Sequence, residues 1–334
     1  MPPLDAPLVS VGVPVRNGAA WLAETLGDLL SQTVEDLEVV VSDNASTDGT
    51  GELVREIADR DPRVRYCPVD VDRGPGANYN RVAELSRGRW FAWSAADDRH
   101  APTFLERCLA ALEADDTAVL AHTRTLVLAE DGSTRPLSEA EPAFEQPTPS
   151  ARLAEHLRLD RRRDTGYTIF GLIRRGALEQ VLPQGSYASA DRVLLGRLLL
   201  RGRFLRLPEP LFLSRDHPGR SMRTAAVRGH HGRSRVADAL GGGPLPGSDW
   251  WDPARRGQLH FPEWNEVGEY LRAVRDADLP PDEARRCRVA VARFAALNGH
   301  KLARDVAIGG EHWLRRAAAA RRGDVRPPSA PAPS

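Results

Sequence analysis

Asp97 and Asp98 stand side by side just after the aromatic run at residues 89–93 (RWFAW), and Asp43 follows a second apolar run, LEVVV at 37–41. Adjacent carboxylates raise one another's pKa, so a turn carrying two of them calls for a compensating cation. Mg²⁺ characteristically takes one or two carboxylates together with substrate phosphates. That makes Asp97 and Asp98 candidate metal ligands. Read alone, the pair is more readily a solvated acidic turn capping the helix that Pro102 opens. The first apolar run, residues 8–15, leads into the polar Arg16-Asn17-Gly18. No G-x-G-x-x-G follows it and no G-x-x-x-x-G-K-[ST] occurs anywhere, which argues against a nicotinamide oxidoreductase and a P-loop enzyme.

The elements that must position these residues follow from periodicity. Strand-like runs at 8–15, 37–41, 64–69 and 89–93 alternate with helical spacing at 21–30, about 50–57, 79–85 and 103–112. Such alternation implies βαβ units and a mainly parallel sheet. Ligands of such sheets bind outside the carboxyl ends of the strands, where the polar residues above lie. Further on, the pattern predicts a strand at 118–128 and a Pro- and Glu-rich loop at 138–149. A helix at 151–159, a strand at 167–173, helices at 175–182 and 191–200, and edge strands at 204–207 and 211–213 follow. Residues 266–274, 282–297 and 301–320 read as purely helical, and the Pro/Ala/Ser-rich residues 323–334 as a disordered tail.

The chain has 334 residues and a formal net charge of zero, with 46 basic and 46 acidic side chains. That balance excludes the usual footprint of a nucleic-acid binder. It conceals an asymmetry: residues 1–150 carry a net −13 and residues 151–334 a net +13. Lys301 is the only lysine. Three scattered cysteines, Cys67, Cys108 and Cys287, make neither a disulfide framework nor a zinc site. With no secretory leader and no run long enough to span a bilayer, the expectation is a soluble cytoplasmic protein.

Taken together, VSVGVPVRNGAAWLAETLGDLLSQT, LEVVVSDNASTDGT and RWFAWSAADD resemble the nucleotide-sugar-binding half of family 2 glycosyltransferases. The likeness covers residues 8–120 and continues more weakly to about 223. It implies a GT-A type α/β fold, with a Rossmann-like, mainly parallel central sheet flanked by helices and a C-terminal helical appendage. Residues 1–120 would form the nucleotide-sugar half, 121–235 the acceptor side of the same domain, and 236–322 a linker and the appendage. The implied activity is metal-dependent, inverting transfer of a sugar from a UDP- or dTDP-sugar to a hydroxyl acceptor. A catalytically weak nucleotide-sugar-binding or scaffold protein of the same fold is the alternative.

By that resemblance Pro14, Arg16 and Asn17 line the nucleotide pocket. Asp43 accepts from the base, a role for which the N3–H of uracil or thymine has the right chemistry; an Asx turn is its alternative. Asn80, in RGPGANYN, would shape the nucleotide pocket or belong to a plain helix-initiating loop. Asp97 would contact the donor and, with Asp98 and His217, hold Mg²⁺ or Mn²⁺, although Ala95 replaces the first acid of the family's motif. Asp191, before the apolar stretch RVLLGRLLL, matches the catalytic base; helix-dipole capping is its structural alternative. Arg220 and Arg223, in RDHPGRSMR, would pair with phosphate oxygens. Residues 167–171 (YTIFG) resemble an acceptor-facing segment, with a buried strand as the other reading. Trp21, Trp90 and Trp93 read as core. Trp250, Trp251 and Trp264 would line an acceptor surface or pin the C-terminal helices. The basic last helix, with Arg315 and Arg316, is read as a solvated face or as a peripheral contact with the inner face of a membrane.

Overall fold

The structure is a computed structural model describing residues 6–137, 143–159, 167–220, 250–255, 258 and 260–321. The first half alternates strand and helix. Strands β1 (Val9–Val15), β2 (Leu37–Asn44), β3 (Val64–Val69) and β4 (Trp90–Trp93) are separated by α1 (Ala19–Leu30), α2 (Thr50–Arg60) and α3 (Pro75–Leu85). β1 and β2 are buried along their whole length, which is why both read as near-continuous apolar runs. In α1 the residues Leu22, Thr25, Leu26 and Leu29 form the buried stripe, at the spacing of one helical face. Pro75 opens α3 directly after Gly74, whose φ of +82° suits glycine.

The second half departs from simple alternation. It runs β5 (Arg99–His100), α4 (Phe104–Glu113), β6 (Ala118–Leu128), β7 (Thr134–Pro136), α5 (Pro149–Arg158), β8 (Leu172–Arg174), α6 (Arg175–Glu179), α7 (Ala190–Leu199) and β9 (Arg203–Arg215). Residues Tyr167–Phe170 form a 3₁₀ turn ahead of a short β8, where one strand was expected. The sheet order is β3-β2-β1-β4-β8-β6-β9-β5, with β7 on β6. Pairs among β1 to β4 are parallel, as is β6 with β9, whereas β8 runs antiparallel to both β4 and β6. The expected mainly parallel sheet is therefore parallel in its first half and mixed beyond it.

The two predicted edge strands are one strand, β9, lying between β6 and β5. Pro208 and Pro210 lack amide donors and cannot sustain the ladder. Pairing accordingly jumps from Leu207↔Thr123 to Phe212↔Thr125. The prolines bulge the strand without ending it.

Three C-terminal helices complete the described chain: α8 (Pro262–Arg275), α9 (Pro281–Leu297) and α10 (Gly299–Arg321). One core cluster draws Leu153 and Leu157 of α5, Val193 of α7, Tyr270 and Val274 of α8, and Val291 and Phe294 of α9 together. Arg192 of α7 and Glu266 of α8, both buried, lie 3.8 Å apart, and Arg197 pairs with Glu269 at 2.6 Å. Trp264 donates to the Leu302 carbonyl at 3.0 Å, fastening α10 to α8. Among the described residues no helix is long and apolar enough to cross a membrane.

Several buried groups tie this packing to pH. Burial drives His100 and His122 down to about 4 and His156 down to about 3. In Glu38, burial pushes the carboxyl up, but hydrogen bonds from Ser10, Arg65 and Arg87 prevail and hold it below its usual value. An unfolded chain takes up protons on these histidines as pH falls through 6.5, while the folded chain does not until about 4. Stability from the histidines is thus full at pH 7.5 and lost progressively towards pH 4, and that from Glu38 is lost below about 4.5. The urea midpoint should fall between pH 7.5 and pH 5. His100→Phe, which keeps the ring contacts with Phe104 and Phe212, should flatten that fall. A midpoint constant over this range would overturn the account.

Candidate active site

The carboxyl ends of β1 and β2 are locked together by side chains on backbone. Asn17, in the left-handed region at φ +55°, donates its N–H to Ser46 Oγ at 2.8 Å and accepts from Thr47 N–H at 2.8 Å. Asp48 accepts from the Ala19 N–H at 3.1 Å. Pro14 is buried in β1 opposite Ser42. Arg16, half-exposed, pairs with Asp72 at 3.3 Å, and Asp72 also accepts from Asn44 at 2.7 Å. Asp43 is buried. Its Oδ1 accepts from Ser46 N–H, three residues on, at 3.0 Å, and its Oδ2 from Tyr66 Oη at 2.8 Å. Each carboxylate oxygen keeps a further acceptor position. The Tyr66 hydroxyl is pushed up to about 12 by burial and by the Asp43 bond, so it stays a donor.

One residue outside the sequence-based candidates holds these ends. Asn78, buried on α3, accepts from Ser42 Oγ at 2.6 Å and donates to the Ser42 carbonyl at 2.9 Å and the Val15 carbonyl at 3.3 Å. Asn80, two residues on, faces elsewhere: it donates to the Gln184 carbonyl at 2.8 Å and accepts from the Gln184 N–H at 2.7 Å. Both halves of its amide are engaged by the loop before α7.

A second centre forms where β4 ends. Asp97 and His217 meet directly, Oδ2 to Nε2 at 2.8 Å. Asp98 is buried, and its Oδ1 accepts from the Arg215 N–H at 3.0 Å with Ser214 as a further donor. Burial first, and the charge of Asp97 second, push Asp98 up to about 7. Arg215 donates from Nε to the Asp97 carbonyl at 3.0 Å, pairs with Glu24 at 2.9 Å and lies over the Trp21 ring at 4.3 Å. Thr25 donates to the Asp98 carbonyl at 2.9 Å. Arg220 donates to Tyr167 Oη and to Ser214 Oγ, the latter at 3.1 Å, within electrostatic reach of Asp97 and Asp98. Trp90 and Trp93 are core as expected, whereas Trp21 is only partly buried and forms a wall beside His217, 5.5 Å between ring centroids.

Asp191 lies in the first turn of α7, half-buried, its Oδ1 accepting from the Arg192 N–H at 2.9 Å. Burial raises the Tyr79 hydroxyl, and Asp97, Asp98 and Asp191 all raise it further.

Asp97 and His217 form a hard carboxylate–imidazole pair that fits a cation taking most of its other ligands from phosphate and water. Asp98, occupied by the end of β9, supports that pair from behind. Among the described residues no three His, Cys, Asp or Glu side chains cluster as a metal site. Arg223 lies outside the described residues, as do His230 and His231. Of the described arginines in residues 197–220, Arg215 and Arg220 reach this centre, while Arg197 pairs with Glu269 and Arg203 with Asp115. Asn78 and Arg215 stand inside quoted motifs and were within reach of sequence reasoning. Glu24 and Thr25 were not, since nothing in a helical repeat singles them out.

Comparison with known proteins gives the family and the fold. The description "Glycosyl transferase family 2" matches residues 10–182, just over half of the chain. A succinoglycan biosynthesis protein, ExoO, of Rhizobium meliloti (strain 1021) is 35% identical over 141 residues, 42% of this chain and 40% of that protein. A chondroitin synthase of Pasteurella multocida (strain Pm70) is 29% identical over 154 residues, 46% of this chain and 16% of that protein. The chain thus spans less than half the length of either relative. Among solved structures, S. aureus TarS 1-349 in complex with UDP-GlcNAc has a TM-score of 0.56 at 16% identity, covering 86% of this chain and 72% of that one. The mannosyltransferase PcManGT from Pyrobaculum calidifontis, in complex with GDP-Man and Mn²⁺, has a TM-score of 0.52 at 21% identity, covering 96% and 77%. At these identities the structural likeness establishes the GT-A fold.

Asn78 offers a test that needs no substrate. Asn78→Ala leaves Ser42 and the Val15 carbonyl without their buried partner, and should destabilise the chain by about 2–4 kcal/mol. The measurement is the shift in urea midpoint. A change below about 0.5 kcal/mol would mean that water replaces the amide and that Asn78 does not hold the strand ends.

Proposed function

The chain belongs to glycosyl transferase family 2, and from that premise we propose that it moves a sugar from a UDP- or dTDP-sugar to a hydroxyl acceptor with inversion, Asp191 acting as general base. The observation that carries this reading is the meeting of Asp97 and His217 at the end of β4, with Asp98 and Arg220 beside them, an arrangement suited to a cation and a diphosphate. Asp191, in the first turn of α7, is a separate carboxylate that would serve the acceptor side of an in-line displacement. Asp43 would accept from the N3–H of the base through its remaining acceptor positions, while Tyr66 and Ser46 hold its orientation. Pro14, Arg16 and Asn17 would form the pocket around the nucleoside.

Mg²⁺ or Mn²⁺, held by Asp97 and His217, would supply Lewis-acid neutralisation of the departing diphosphate. Arg220 would add a fixed positive charge on the same side, held there by Tyr167 and Ser214. Asp191 would orient the acceptor hydroxyl and take its proton during attack. The donor complexes of the two structural neighbours, UDP-GlcNAc in one and GDP-Man with Mn²⁺ in the other, support a nucleotide-sugar donor. The basic C-terminal helices would offer peripheral contact with an anionic membrane surface.

Two measurements test this. In a thermal-shift screen, a UDP- or dTDP-sugar with Mn²⁺ should raise apparent stability, by about 2.7 kcal/mol at a hundredfold excess over Kd. A shift with GDP-mannose but with no UDP- or dTDP-sugar would overturn the base assignment at Asp43. With the donor so found, Asp191→Asn should lower transfer by about 10²–10⁴-fold while donor binding stays near wild type. Unchanged turnover in that variant would remove Asp191 as base. A wild-type protein that binds donor yet releases no diphosphate, with or without acceptors, would establish the scaffold alternative.

A further inference from the structure

Helix α3 touches both the ends of β1 and β2 and the loop before α7, and it does so with two asparagines two residues apart. Two residues of an α-helix are about 200° apart around its axis, so Asn78 and Asn80 leave opposite sides. Asn78 grips Ser42 and the Val15 carbonyl. Asn80 grips Gln184 by both backbone groups. Gly76, four residues before Asn80 and so on the same face, lies against the same loop. A Cβ at Gly76 would stand 2.6 Å from Ser186 Oγ and 3.0 Å from Ser186 Cα. The loop is thus pressed onto one turn of α3 from Gln184 to Ser186.

That loop leads straight into α7. Ser189 precedes the helix in the left-handed region, at φ +67°, and Asp191 is its second residue. Arg197, further along α7, donates to the Val181 carbonyl at 3.1 Å and the Pro183 carbonyl at 3.2 Å. Tyr187 is buried in the cluster shared with α8 and α9. The segment carrying Asp191 is therefore held to α7 by Arg197, to the C-terminal helices by Tyr187 and to the donor half by Asn80.

We propose that Asn80 is a positioning residue for Asp191, acting through the backbone of Gln184, with α3 as the rigid spacer that sets the base against the donor strands. The proposal rests on the reading of Asp191 as base. A primary amide suits the task because it has a donor and an acceptor to match the C=O and N–H of one residue; a carboxylate in its place could accept but not donate. Asn80 then belongs to the timing and geometry of proton transfer, and the nucleotide pocket depends on Asn78 instead.

The test uses the full chain with Asn80→Ala and the milder Asn80→Asp. Amide hydrogen exchange should quicken in residues 183–191 and stay unchanged in 14–18 and 42–46. Binding of UDP with Mn²⁺ should remain within about twofold. With the sugar nucleotide giving the largest thermal shift, kcat should fall about 10–100-fold, the loss expected from a small misplacement of a reacting group, and Asn80→Asp should lose less. Weaker UDP binding with kcat intact would make Asn80 a nucleotide contact and overturn the proposal. Unchanged exchange at 183–191 would overturn it as well. Asp191→Asn is run alongside: turnover surviving there overturns the base assignment, whereas lost turnover there with full kcat in Asn80→Ala overturns the positioning role alone.

Discussion

Two carboxylates that follow one another in sequence and share one end of a sheet must be neutralised from outside their own strand. Asp98 is buried and pushed up to about 7 by that burial and by Asp97, so the surrounding chain has to bring donors to it. The register of β5 on β9 does this. Arg99 pairs with Leu213 and His100 with Phe212, which continues antiparallel so that Asp98 meets Ser214 and Arg215, and Asp97 meets Arg215 and His217. The strand that carries the basic segment is thereby drawn across the end of the strand that carries the acids. Trp21 and Glu24 of α1 then fix Arg215 by ring contact and charge, so three distant segments depend on one electrostatic demand.

The proposed base enters from a different side and is held by different means. Helix α7 is apolar along most of its length and is gripped by α8 through the buried Arg192–Glu266 pair, the Arg197–Glu269 pair and the packing of Tyr270. Such pairs are costly to break singly, because each leaves a buried charge behind. Residues of the expected appendage therefore brace the helix on which Asp191 sits. Helix α3 holds the loop that leads into that helix, through Asn80 on Gln184. The loops at the strand ends and before α7 are pinned by side-chain to backbone bonds.

The charge asymmetry between the halves resolves into separate uses of arginine. Arg215 and Arg220 serve the carboxylate centre. Arg152, buried, caps backbone carbonyls of Gln146, Pro147 and Leu199. Arg197 and Arg203 make structural pairs with Glu269 and Asp115. Composition alone did not distinguish these uses, since each depends on which carbonyl or carboxylate the fold brings near. Among the described arginines of residues 197–220, Arg215 and Arg220 are the two placed at the carboxylate centre.

The sequence by itself determined the alternating first half, the strand ends and the residue types found there. Hydrophobic periodicity and β-branched runs are local properties, and they placed β1 to β4 and α1 to α4 within a few residues. The same local signals failed where distant partners decide. Residues Tyr167–Phe170 turn into a 3₁₀ segment because β8 is needed only as a short antiparallel filler between β4 and β6. Pro208 and Pro210 bulge one strand, since β6 and β5 hold it on either side. Asp97 with His217, Asp98 with Arg215, and Asn80 with Gln184 lie 120, 117 and 104 residues apart. No pattern along the chain encodes such pairings. Only the closing of the sheet, by burying one partner, compels it to find the other.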